Sequence, residues 1–152
     1  MIRSMEKGKL QIGKVITFPQ GLIGFENFKN FLLLELKEYE PFLWLLSLEE
    51  KRLKFPLLEP GSFYPKYQPE ISKEDLKSLG AKDTKELRVY CLVSVGNGRV
   101  TANMRGPVLI NPKRRLAKQV ILSKPSYPLR YPLMQKISEK IREPHLRDED
   151  QF

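Results

Sequence analysis

The chain has 152 residues, 41% of them hydrophobic, with 27 Lys and Arg against 18 Asp and Glu for a formal charge of +9. A chain of that length buries about two-thirds of its unfolded surface around one core, so a single domain over residues 1–143 and a charged tail over 144–152 are expected. The charge suits a polyanion, an acidic protein surface or anionic lipid heads, and equally a solvated Lys- and Glu-rich surface, so charge by itself selects no partner.

Residues 1–10 carry charges but no apolar stretch of the kind that follows the basic start of a secretory signal, and a cytoplasmic protein is expected. The longest apolar runs, such as 31–34 and 42–46, fall far short of the roughly 20 residues that span a bilayer, so no membrane role is expected. Apolar and β-branched stretches at 10–18, 31–36, 42–48 and 53–58 read as short strands. Pro19-Gln20-Gly21-Leu22-Ile23-Gly24-Phe25 interrupts them as an ordered loop whose three apolar residues are expected to tuck under a sheet edge, with an exposed loop awaiting a partner as the alternative. Trp44 falls in a strand and is expected in the core.

Prolines at 60, 65 and 69 disfavour regular pairing. Residues 72–80 then form a short helix, with Ser72 as N-cap, acids in the first turn and Gly80 after its end. Residues 87–95 and 100–104 flank Gly96-Asn97-Gly98 as a hairpin. Cys91 lies inside that strand as a small buried thiol and, being the only cysteine, forms no internal disulfide. Strands are expected at 108–110 and 116–122 around the basic turn Asn111-Pro112-Lys113-Arg114-Arg115. From Pro132 onward, Leu133, Ile137 and Ile141 make one apolar stripe of a second short helix that starts at the proline. The sum is a mainly β chain, an antiparallel barrel or sandwich with two short helices.

Chemistry is sparse. The single histidine, His145, sits in the charged tail far from Cys91, which leaves no Ser-His-Asp, Cys-His or zinc arrangement, and no phosphate-cradling loop follows Gly21. No enzyme, metal or cofactor is expected. Lys113, Arg114, Arg115 and Lys118 form the strongest electrostatic feature, and Tyr127 and Tyr131 beside Arg130 keep a basic RNA-binding barrel open as an alternative.

The order of several motifs is also recognisable. Phe18-Pro19-Gln20-Gly21-Leu22-Ile23-Gly24-Phe25-Glu26 resembles the opening signature of the FliW family of flagellar assembly factors. Trp44-Leu45-Leu46-Ser47, Pro60 with Tyr67, Thr101-Ala102-Asn103 with Pro107, then Asn111, Gln119 and Leu122, and finally Tyr127 with Arg130 follow in register. Met104, Gly106 and Tyr131 stand where leucine, alanine and histidine are the family's habit. The resemblance implies a protein that binds newly made flagellin and, once flagellin is exported, binds the RNA-binding repressor CsrA and so frees flagellin mRNA. Among polar residues on strands or turns, Asn103, Arg105, Arg115, Gln119 and Arg130 are expected in the partner-binding surface, and no direct contact to nucleic acid is expected.

Overall fold

The computed structural model describes residues 13–123 and 127–144. Its strands are β1 (Lys14–Thr17), β2 (Asn30–Leu34), β3 (Phe42–Ser47), β4 (Lys54–Leu58), β5 (Arg88–Gly96), β6 (Arg99–Ala102), β7 (Val108–Asn111), β8 (Leu116–Gln119) and β9 (Tyr131–Pro132). The helices are α1 (Lys73–Ser78) and α2 (Gln135–Ser138). Strands β1, β2, β3, β4, β5, β7 and β8 pair in a closed ring, while β6 and β9 continue from β5 as an extension off the barrel wall. The ring closes where Thr17 meets Leu116 in parallel, so the expected antiparallel pattern fails at that one seam. Closure there comes from strands distant in sequence, and no local pattern encodes it.

Alternation along the strands explains the packing. Phe31 and Leu33 of β2, Leu45 of β3, Leu57 of β4, Tyr90 of β5 and Ile110 of β7 fill the barrel, and Phe18 and Phe31 meet edge to face with centroids 5.3 Å apart. The intervening residues are buried as well. Leu32, Leu34, Trp44 and Leu46 form a second layer outside the barrel under Leu36, Tyr39, Leu48 and Ile141, as expected for Trp44. Two-sided burial is why β2 and β3 read as unbroken apolar runs. Cys91 and Val93 of β5 pack outward beneath Tyr64, Tyr67, Tyr127 and Tyr131, so Cys91 is core, and burial pushes its thiol up to about 12.

Helix α1 covers a third outer patch, with Leu76 and Leu79 against Leu87, Leu109 and Leu116. Ser72 caps it as expected: its Oγ accepts from Asp75 N–H at 3.0 Å, and Asp75 Oδ2 accepts from Ser72 N–H at 3.1 Å. Two strand residues clip it to the barrel. Asn111 Nδ2 donates to Leu79 O at 2.7 Å, and Lys118 Nζ lies 2.9 Å from Asp75 Oδ1.

The C-terminal region departs from expectation. Pro132 does not begin a helix; Tyr131 and Pro132 pair with Ala102 and Thr101, and α2 starts three residues later. A proline tolerates this edge position because an edge strand leaves N–H groups unpaired anyway. Leu133, Ile137 and Ile141 still share one side and pack on the outer cluster, so the stripe holds although the helix is shorter. Lys54 Nζ then binds Glu143 Oε1 at 3.0 Å and Pro144 O at 3.1 Å. Of the charged tail expected over 144–152, only Pro144 lies within the described residues, and His145 lies outside them.

Burial raises the carboxyl pKa of Asp75, but hydrogen bonds from Lys118 and Ser72 outweigh it and hold the group below its ordinary value of 3.8. A carboxylate lowered on folding stabilises the native state above its unfolded pKa, and that stabilisation is lost as pH falls through the lowered folded value. Asp75→Asn should therefore flatten the acid limb of a stability-versus-pH curve measured by urea denaturation below about pH 4. An acid limb identical to the parent's would remove the α1 clip as its cause.

Candidate partner-binding site

The hairpin and the strand after it form one run that pairs along β5: residues 99–102 face 93–96, and residues 108–110 face 88–90. Between them, residues 103–107 leave the paired register: Asn103 N–H still donates to Leu92 O of β5 at 2.8 Å, and the backbone groups after it must find other partners. Asn103 turns the chain, its Oδ1 accepting from Arg105 N–H at 3.0 Å and Gly106 N–H at 2.9 Å. Tyr67 donates its hydroxyl proton to Met104 O, and Met104 N–H reaches Pro128 O at 3.0 Å. Arg105 Nε donates to Tyr127 O at 3.0 Å, and Leu122 N–H reaches Arg105 O at 2.8 Å.

Gln119 completes the node. Its Nε2 donates to Gly106 O at 2.9 Å, and its Oε1 accepts from Ile23 N–H at 3.1 Å, so one side chain joins this segment to the loop at 18–26. Glycine at 106 now has a reason. A Cβ there would lie 2.8 Å from Gln119 Nε2 and 3.0 Å from Asn103 Nδ2, displacing both amides. In the joined loop, Gly21 has φ +70°, and a Cβ on it would meet the Glu26 backbone at 2.6 Å, so only glycine makes the turn.

Of the expected binding residues, the structure gathers Asn103, Arg105 and Gln119 in the hydrogen bonds of this node, while the side chains of Arg115 and Arg130 take no part in them. Asn103 and Gln119 are half-buried, and their side chains hold loops in place. Arg115 is exposed in the β7–β8 turn with φ 56°, and its carbonyl accepts from Thr17 N–H at 3.0 Å across the parallel seam. Arg130 is exposed on the extension, just before β9. In the basic run, Lys118 is occupied by Asp75, while Lys113 and Arg114 remain exposed.

The loop at 18–26 is ordered as expected, but only Leu22 tucks in; Ile23 is 50% and Phe25 38% exposed. A buried Leu22 side chain and two positive-φ glycines force the tip outward. Sequence reasoning missed Ile121 and Leu129, exposed at 60% and 53%. Both neighbour residues bonded to the node, Ile121 beside Leu122 and Leu129 beside Pro128, just as Ile23 is bonded to Gln119. Three exposed aliphatic side chains thus sit on backbone that the 103–107 segment fixes. Their signal is absent from local periodicity, which cannot tell a strand's buried face from the free end beyond it.

Chemistry beyond binding has little to work with here. Among the described residues, no group of His, Cys, Asp and Glu could hold a metal ion, and Cys91 is fully buried with a raised pKa. The tyrosines that kept base stacking open are committed to other rings: Tyr127 packs on Tyr67 at 4.8 Å between centroids and its hydroxyl accepts from Gln68 N–H at 3.1 Å, while Tyr131 packs on Tyr64 at 5.7 Å.

Because Gln119 bridges two loops, Gln119→Ala should lower unfolding free energy by about 1–3 kcal/mol and speed amide exchange at Ile23. Gln119→Glu keeps the acceptor for Ile23 N–H and loses the donor to Gly106, so it should preserve Ile23 protection while still losing stability. Parent-like stability and exchange in the alanine variant would show that the loops hold themselves.

Comparison with known proteins places the whole arrangement. The FliW protein family model matches residues 2–133. A flagellar assembly factor FliW from Natranaerobius thermophilus is 38% identical over 93% of this chain and 97% of its own length. Its counterpart from Thermosipho africanus is 34% identical over 83% of this chain and 90% of its own length. A crystal structure of the flagellar assembly factor FliW superposes with a TM-score of 0.74 at 32% identity, covering 89% of this chain and 91% of that one. With motif order, barrel topology and these likenesses in agreement, the chain belongs to the FliW family of flagellar assembly factors.

Proposed function

We propose that this flagellar assembly factor works in the cytoplasm by binding flagellin as a chaperone and, when flagellin is absent, by binding the translational regulator CsrA and relieving its repression of flagellin translation. Family membership supports the reading, and the carrying observation is the trio Ile23, Ile121 and Leu129, exposed apolar side chains held on a rigid node. Exposed aliphatics on fixed backbone suit protein association, because little side-chain and loop entropy remains to be lost on docking. Arg105, Arg115, Gln119 and Arg130, with Asn103, then shape or flank the contact surface. Two partners drawing on one factor are linked thermodynamically: whichever binds lowers the free factor available to the other, and a coupling of about 1–3 kcal/mol between sites is enough to switch the outcome.

No separate observation favours a nucleic-acid reading. The aromatic rings it required are packed edge-on against other tyrosines, Tyr127 on Tyr64 and Tyr67 and Tyr131 on Tyr64, and the basic turn alone offers phosphate attraction without base contacts.

Calorimetric titration with flagellin and with CsrA from the same bacterium should show binding to each, with prior saturation by flagellin reducing CsrA binding. Ile121→Asp and Ile23→Asp should each weaken at least one association by about tenfold or more while leaving thermal unfolding close to the parent's, since both side chains are exposed. No heat and no co-elution with either protein would reject the proposal.

A further inference from the structure

The barrel extension has two faces, and the strand pairing determines which residues share each. In antiparallel pairs, directly opposite residues point the same way, and so do residues two apart along one strand. Ser94 faces Thr101, Thr101 faces Pro132 and Gly96 faces Arg99, so these residues lie together on one face, with Arg130 two residues before Pro132. The opposite face carries Val93, Val100, Ala102 and Tyr131, which pack onto the outer core. The first face is instead open and bounds a groove of about 620 Å³.

Its chemistry is one-sided. Arg99 and Arg130 line the groove, no carboxylate does, and neither arginine forms an ion pair among the described residues. The Ser94 and Thr101 hydroxyls sit between them as further donors. Gly96 leaves the floor open at the Arg99 end, where a Cβ would meet nothing within 4 Å. Because β6 and β9 run antiparallel, the two arginines project to opposite ends of the Ser94–Thr101–Pro132 row, about 13 Å apart along the strand direction. That is the separation of same-side residues i and i+4 in an extended chain. Among the described residues no aromatic ring lines the groove, so none of them stacks a nucleobase there.

We propose that this groove docks an extended acidic segment of a partner protein, with same-side carboxylates at positions i and i+4 bound by Arg99 and Arg130 and the intervening chain lying over Ser94, Gly96 and Thr101. The proposal rests on the reading that the chain acts by binding polypeptides, but it is independent of which polypeptide is bound at the node. Arginine provides the planar fork that carboxylates prefer, and the surrounding charge of +9 steers an acidic segment inward.

The test is fluorescence anisotropy on the full chain with a fluorescein-labelled Glu-Ser-Glu-Ser-Glu-Ser-Glu peptide, and with its Gln-for-Glu counterpart, at low and physiological salt. The acidic peptide should bind, weaken with salt and lose about tenfold in affinity with either Arg99→Glu or Arg130→Glu. Gly96→Glu should do the same through a carboxylate set into an open position, and thermal unfolding of each variant verifies the fold. Lys113→Glu makes the same charge change in the distant basic turn and should leave affinity within about twofold. Equal loss with Lys113→Glu, equal binding of the Gln peptide, or self-association of the chain through the same arginines would overturn the proposal. So would an unstructured RNA oligonucleotide that binds more tightly than the peptide and is lost in the same variants. Peptide binding without flagellin binding would reject the flagellin reading and leave the groove; flagellin binding indifferent to Arg99, with no peptide binding, would do the reverse.

Discussion

A strand cannot leave a barrel wall without leaving hydrogen-bonding groups behind, and the satisfaction of those groups at residues 103–107 is the constraint on which this molecule turns. Along β5 the chain would otherwise run straight from β6 into β7. Breaking that run frees β6 to carry β9 outward as a separate sheet, while β7 goes on to pair with β8 and finish the ring. The break is sustained because Asn103, Tyr67, Tyr127, Gln119 and the Pro128 carbonyl each supply a partner. Buried amide and hydroxyl partners of this kind gain modestly when made and cost more when lost, so the node is rigid without being a large source of stability.

Much of this was legible in the chain. Strands β2, β3 and β4 appear as apolar runs between breakers because both of their faces are covered, and Asn97-Gly98 marks its hairpin because those two residues accept φ of 51° and 72°. Ser72 and Gly80 bracket α1 for equally local reasons. What stayed hidden is non-local. The parallel seam of Thr17 with Leu116 depends on where two distant strands meet, and the Tyr131–Pro132 pairing depends on β6 offering an edge. Ile23, Ile121 and Leu129 look like core residues by type, and only their place beyond the ends of buried strands leaves them in solvent. Arg130 could be singled out from the family-like motif, whereas Arg99 carried no signal until strand register set it on the same face.

The node and the groove divide the surface by chemistry. Around the node Ile23, Ile121 and Leu129 expose aliphatic groups whose contacts are insensitive to salt; on the extension Arg99 and Arg130 expose guanidinium groups beside Ser94, Thr101 and the exposed Val95, and contacts to the arginines are sensitive to it. Both are anchored on the same interruption in β6 and β7, the node directly and the extension through Ala102 and the turn at Asn103. Under the proposed function, in which two polypeptides are bound, this separation lets each surface be tuned without disturbing the other's contacts.

A closed barrel has no terminal strand, but the extension ends in one. At β9 the backbone ladder stops in the open, the sort of margin along which extended chains add to one another into fibres. Here that margin is only Tyr131–Pro132, too short to template a neighbour, and the proline contributes no N–H to it, while Arg130 beside it repels an approaching copy of itself. Among the described residues, the outer margin of the extension is thus cut off before it could propagate.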